Sequence, residues 1–195
     1  MSFTLLQLTQ RFLILQNEAQ EALINIAHCK HYRKRENIIN DGETENCLHF
    51  ISIGMVRLYF VERVREITID IISEGGAICS LNSYLTGNPS RFTIEAIEET
   101  TTYSFLKNDI ESLSVQYPDV KKLVEGMISS MLVRLENKDI EYSSRKSAAR
   151  LKRWVNDNGG LFNRIPQSYL ASYFKMNIAT FSRLKNNLFW RGRQV

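Results

Sequence analysis

The chain has 195 residues, 44% hydrophobic and 24% charged, which is room for one large or two small domains and the composition of an ordinary globular protein. It contains no run of about 18 apolar residues, and Met1-Ser2-Phe3-Thr4 lacks a basic segment before an apolar stretch, so neither a membrane span nor a secretory leader is expected. The net charge of +4 is divided unevenly: residues 145–195 carry +10, with eleven Lys or Arg and one acid, Asp157, while the first 144 residues carry −6, so one end is suited to meet a polyanion.

In chain order, residues 3–31 read as helical. Leu5, Leu8, Phe12, Leu15, Ala19, Leu23 and Ile26 recur at three- and four-residue spacing. From about 36 to 106 the pattern becomes short runs rich in Ile, Val, Tyr, Phe and Thr. Asp41-Gly42, Gly54, Gly75-Gly76 and Gly87-Asn88-Pro89 separate them. Ile67, Ile69 and Ile71 alternate with Thr68 and Asp70, and Phe92, Ile94 and Ala96 with Thr93 and Glu95. Such spacing predicts a small antiparallel barrel or sandwich. Glu98-Glu99 is expected in an exposed turn.

Helical periodicity returns after residue 107. A short helix from Asp109 to Gln116 ends before Pro118. Asp119 can cap a long helix over 120 to about 141. Its stripe of Val120, Val124, Met127, Met131 and Leu135, widened by Leu123, Ile128 and Leu132, must be covered. One edge on the barrel and the other on the same helix of a second chain would cover it. Ser143-Ser144 marks a boundary. Helix 146–157 follows, with Asn158-Gly159-Gly160 as its left-handed end. The basic residues from Arg145 to Arg153 face phosphates on this reading.

Residues 167–186 fit two short helices joined at Lys175-Met176-Asn177. Pro166 suits a helix start. Leu170, Ala171 and Phe174 point inward from the first helix. Asn177 can cap the second, whose buried stripe is Phe181, Leu184 and Leu188. The opposite face shows Ala179, Thr180, Ser182, Arg183, Asn186 and Asn187. A short, polar face with one central arginine suits the major groove. Arg183 is the candidate for a guanine O6/N7 contact, with Thr180, Ser182 and Asn186 beside it. Lys185, Arg191 and Arg193 would meet phosphates.

With these residues placed, almost the whole chain resembles the Crp/Fnr-type bacterial regulators, the family of the catabolite activator protein. The similarity runs through Ile38-Ile39 and Asp41-Gly42-Glu43, the Leu48–Tyr59 strand pair around Gly54, the Glu74-Gly75 turn, Pro89-Ser90-Arg91, and Ile165 through Leu188. The resemblance implies an α+β chain. A cyclic-nucleotide-binding-like β-roll sensor occupies 1–118, a dimerisation helix 119–142, and an all-α helix-turn-helix domain 143–195, its wing reduced or absent. It implies a cytoplasmic homodimer that binds double-stranded DNA and contacts RNA polymerase, and it adds Gln167, Ser168, Asn177 and Ala179 to the DNA-facing set. Cys79, Ser80, Leu81, Ser90, Arg91 and Phe92 fall at the implied effector pocket.

The departures are informative. Cys79-Ser80 stands where cyclic-nucleotide binders have Gly-Glu, and Ser90-Arg91-Phe92 where they have Arg-Ser/Thr-Ala. The ribose carboxylate is absent and the arginine is displaced by one residue, which on a strand turns it to the other face. Phe92 can fill the phosphate space. Cyclic AMP is therefore not the expected effector. Ala179 replaces the Glu with which many members read cytosine, so no target sequence carries over. The competing reading is a small-molecule sensor or interaction module that has lost specific DNA reading. No enzyme motif, metal site or cofactor site is read. Cys29, Cys47 and Cys79 are odd in number and scattered, as in a reduced compartment, and His28, His31 and His49 are read as ordinary surface or satisfied side chains.

Overall fold

The computed structural model describes residues 4–190, with side chains to residue 187. The N-terminal segment is two helices and a strand, not one helix. Helix α1 (Leu5–Gln10) starts at a capping box in which Thr4 and Gln7 exchange hydrogen bonds. Helix α2 (Asn17–Asn25) follows, then β1 (His28–Tyr32). The helical spacing is nevertheless used, because Leu5, Leu8, Leu15, Ala19 and Leu23 all enter one core cluster. Residues 28–32 leave the helix because β8 offers five antiparallel partners, from His28↔Ser104 to Tyr32↔Thr100, and pairing overrides local propensity.

The roll consists of β1, β2 (Asn37–Ile39), β3 (Cys47–Ile53), β4 (Met55–Glu62), β5 (Arg65–Ser73), β6 (Ala77–Ile78), the short helix α3 (Leu81–Thr86), β7 (Thr93–Ala96) and β8 (Thr100–Leu106). Two four-stranded sheets, ordered β1-β8-β3-β6 and β2-β7-β4-β5, face each other. Ile39, Ile51, Val56, Ile72, Ile78 and Ile94 fill the space between them. Gly54 turns β3 into β4 at φ +89°, where a Cβ would stand 2.4 Å from the Glu99 carbonyl oxygen, so only glycine fits.

Helix α4 (Lys107–Gln116) leads into α5 (Pro118–Ser144), which has Pro118 at its first position and Tyr117, not Asp119, as its N-cap. Asp119 lies in the first turn and accepts from Lys122 Nζ at 3.0 Å. The stripe on α5 is split. Val120, Leu123, Met127 and Met131 are buried in this chain's own core, so these residues of the stripe form the edge that packs on the roll. Val124 and Ile128 are half-buried at the edge, whereas Leu132, Leu135 and Ile140 are exposed.

Helix α6 (Ser147–Phe162) runs past the expected glycine end. It kinks at Asn158 (φ −133°, ψ 29°), where the Asn158 side chain donates to the Trp154 carbonyl at 3.2 Å. Gly159 and Gly160 are not left-handed. Helices α7 (Gln167–Tyr173) and α8 (Ile178–Trp190) complete the chain. Their core of Leu151, Phe162, Ile165, Leu170, Ala171, Phe174 and Phe181 is continuous with Met55 and Ile97 at the base of the roll.

Candidate nucleic-acid interface and effector cavity

Leu170, Ala171 and Phe174 are buried as expected. The α7–α8 turn closes with Met176 N–H donating to the Ala171 carbonyl and Lys175 N–H to the Ser172 carbonyl, both at 2.9 Å, the pairing of a left-handed helix end. Lys175 is the left-handed residue, at φ 54°, and costs about 1 kcal/mol relative to glycine there. Asn177 caps α8, its Oδ1 accepting from Thr180 N–H at 2.7 Å. Phe181 is fully buried and stacks on Phe162 with ring centroids 6.2 Å apart.

On the outer face of α8, Ala179, Arg183 and Asn186 are exposed and Thr180, Ser182 and Lys185 half-exposed. Gln167 and Ser168 are exposed at the start of α7. Leu188 is a side chain, and Arg191 and Arg193 are residues, outside the described set. Ser168 and Asn177 line a cleft whose other wall is Phe60, Glu62 and Arg65 of the β4–β5 hairpin. The basic run is less available to phosphates than its sequence implies. Arg150 is buried and donates to the carbonyls of Arg145 and Phe174 at 2.7 and 2.9 Å, and Arg153 faces Glu141 and Asp157.

Helix α7 is docked on the roll by polar contacts that the sequence reading missed. Arg57 of β4 is 1% exposed. Its guanidinium bonds Glu95 at 3.0 and 3.1 Å and Glu66 at 2.6 Å. It lies between the rings of Tyr59 and Tyr169, 4.0 and 3.7 Å from their centroids. Burial alone would lower the Arg57 pKa, but the bonds to Glu95 and Glu66 hold it above its ordinary value. Tyr169 Oη also reaches Glu95 at 3.1 Å. Ser172 Oγ accepts from Thr68 N–H and donates to the Glu66 carbonyl. Arg164 spans Glu74 and Glu98, so Glu98 is engaged and only Glu99 is exposed. The Ser172 contact accounts for the burial of Thr68, and an ion pair with Arg134 of α5 for that of Asp70, both more buried than the isoleucines alternating with them.

Lys138 of α5 sits under the same junction, its Nζ 3.8 Å from the Tyr173 ring centroid and without a hydrogen-bond partner. Burial draws its pKa down from 10.5 to about 8. The unfolded chain therefore binds the extra proton between those values. The group is a fixed penalty below pH 8 that fades as pH approaches 10.5. Lys138→Met is expected to stabilise the chain by about 1–3 kcal/mol at pH 7, less than the full shift because the ring contact is lost. Thermal unfolding from pH 7 to 10 checks this: the gain should shrink above pH 8, and a loss of stability at pH 7 would contradict it.

The implied effector region is a cavity of ≈ 350 Å³ between the roll, α3 and α5. Cys79, Leu81 and Phe92 line it, with Leu58, Ile69, Ile78 and Met131. Ser80, Ser90 and Arg91, expected at the pocket, are not among its lining residues: the two serines are buried with their hydroxyls 2.7 Å apart, and Arg91 is exposed. The charged side chains on its wall are Asp70 and Arg134, bonded to each other at 2.7 Å. Burial pushes the Cys79 thiol well above its usual range. Among the described residues the wall thus has no uncommitted cation for a cyclic phosphate and no carboxylate free for a ribose.

Residues 29–117 match the family model described as the cyclic nucleotide-binding domain. No curated relative matches the chain by sequence. Among solved structures, FixK2 from Bradyrhizobium japonicum is similar with a TM-score of 0.75 at 18% identity, over 86% of each chain. The c-di-GMP-responsive global regulator CLP of Xanthomonas campestris has a TM-score of 0.71 at 14% identity, over 91% of this chain and 93% of that one. A CooA variant from Carboxydothermus hydrogenoformans has 0.69 at 16%, over 97% and 86%. No helix among the described residues is long and apolar enough to cross a membrane. Residues 29–117 thus match the cyclic nucleotide-binding domain, and the chain taken whole has the fold seen in solved structures of the crp/fnr family.

Proposed function

We propose that the chain is a homodimeric transcription regulator that reads an inverted-repeat operator through α8. The observation that carries this reading is the outer face of α8, short and polar with Arg183 exposed at its centre, on a helix fixed by the Asn177 cap and the buried Phe181. Val124, Ile128, Leu132 and Leu135 form the remaining apolar edge of α5 and are the proposed dimer seam. The proposed signal is a small, largely apolar molecule in the cavity beside Asp70 and Arg134. Strand β5 links the two ends, since Asp70 lies on the cavity wall and Thr68 and Glu66 hold Ser172 of α7. A ligand that parts Arg134 from Asp70 would shift β5 and with it the seat of the reader.

A mobility-shift titration tests the reading. Arg183→Ala should weaken binding to the preferred site about 5- to 150-fold, the worth of one bidentate guanine contact, and leave nonspecific binding nearly unchanged. Equal losses on every sequence would make Arg183 a phosphate contact only. Leu132→Asp with Leu135→Asp should convert the protein to monomers in sedimentation.

A further inference from the structure

Glu45, Cys47 and His49 fall outside both the reader and the cavity. The two-residue period of the strand puts them on one side of β3 and the turn before it. One ligand atom from each lies within 4.8 Å of the others. The His49 and Glu45 side chains are 4% and 3% exposed. His49 Nδ1 is held by Ser104 Oγ at 2.8 Å, which fixes the ring, while the buried Nε2 has no hydrogen-bond partner. That nitrogen stands 3.6 Å from Glu45 Oε1, too far for a hydrogen bond. It is the right separation for two ligands of one ion, because tetrahedral ligands at bond lengths of about 2.0–2.3 Å lie about 3.3–3.8 Å apart. Glu45 is oriented in turn, its two oxygens accepting from Cys47 N–H at 3.0 Å and Ser80 N–H at 3.3 Å. Oriented ligands with held partners are what a metal centre requires.

We propose that Glu45, Cys47 and His49 bind one divalent metal ion of the zinc class, leaving a fourth position open. Thiolate, imidazole and carboxylate together favour a borderline-soft ion over magnesium or calcium. Cys47 is only half-buried and gives the ion a way in. Occupancy would tie β3 to the start of α3 through Ser80, and so to the cavity wall.

The test is a Co²⁺ titration of the full chain after chelator treatment under reducing conditions. One equivalent should give tetrahedral visible bands and a sulfur-to-cobalt charge-transfer band, both displaced by Zn²⁺. Cys47→Ser should lose the charge-transfer band, and Cys29→Ser and Cys79→Ala should keep it. His49→Gln and, independently, Glu45→Gln should weaken Co²⁺ binding by at least ~100-fold, beyond what an outer partner contributes. Far-UV circular dichroism confirms that each variant is folded. The proposal is overturned if the folded wild-type chain shows no saturable cobalt spectrum. It is overturned equally if the spectrum survives in Cys47→Ser, or depends on the exposed His28 and His31 instead.

Discussion

Replacing Arg57 with alanine should destabilise the chain by about 3–5 kcal/mol, because Glu95 would then be left as a buried charge without its counter-ion. Tyr169 Oη would be its remaining side-chain partner of those now present, at 3.1 Å. For a chain of this size that loss lowers the melting temperature by roughly 6–20 °C. The effect should not be local, since the guanidinium touches Glu95 and Glu66 of the roll and the Tyr169 ring of α7. The helical end should loosen from β5, seen as faster hydrogen exchange at the Thr68 amide, which now donates to Ser172. The double variant Arg57→Met/Glu95→Met should recover most of the stability, because neither charge is then stranded. A single variant as stable as the parent would mean that water reaches the site and the junction is open in solution.

Phe181→Ala should cost about 3–5 kcal/mol, the usual range for emptying a buried phenylalanine site. Phe181 is fully buried and stacks on Phe162, and the same cluster contains Leu151, Leu170 and Phe174. Specific DNA binding should disappear even though Arg183 and its neighbours are untouched, because α8 loses the surface that seats it. Because the cluster also includes Met55 and Ile97, the base of the roll should lose stability with it. Thermal unfolding followed by tryptophan fluorescence reads this through Trp154, which packs against Phe162 and Phe174. A loss below about 1 kcal/mol would show that the site collapses around the smaller side chain.

The parts legible from sequence were those set by local rules. Asn177 before a three- and four-residue stripe announces a capped helix, and Lys175-Met176-Asn177 announces the joint, where Lys175 is left-handed. Arg91 is placed at the effector pocket by the resemblance, but it precedes β7, is exposed and does not line the cavity. What failed was whatever depended on distant partners. Residues 28–31 close the segment read as helical but pair with β8. Gly159-Gly160 looks like a helix end, yet the Asn158 side chain makes a kink and the helix goes on. The stripe on α5 showed how many positions needed cover but not which rows the roll would take. Arg57 and Glu95 were visible as charges inside otherwise apolar strands, a signal in itself. Their meeting with Tyr169, more than seventy residues from Glu95, was not. Glu45, Cys47 and His49 match no metal signature of closely spaced cysteines or histidines, and only the strand period and the neighbouring Ser104 bring them together.

The central claim is that α8 reads base pairs from a two-fold symmetric site. Selection of bound sequences from a random duplex pool by the purified full chain tests it most directly. The expected result is an imperfect inverted repeat with half-sites about one helical turn apart, in which Arg183→Ala relaxes the preference at one position of each half-site. Recovery of no preferred sequence, with equal affinity for all duplexes at every salt concentration, would contradict it.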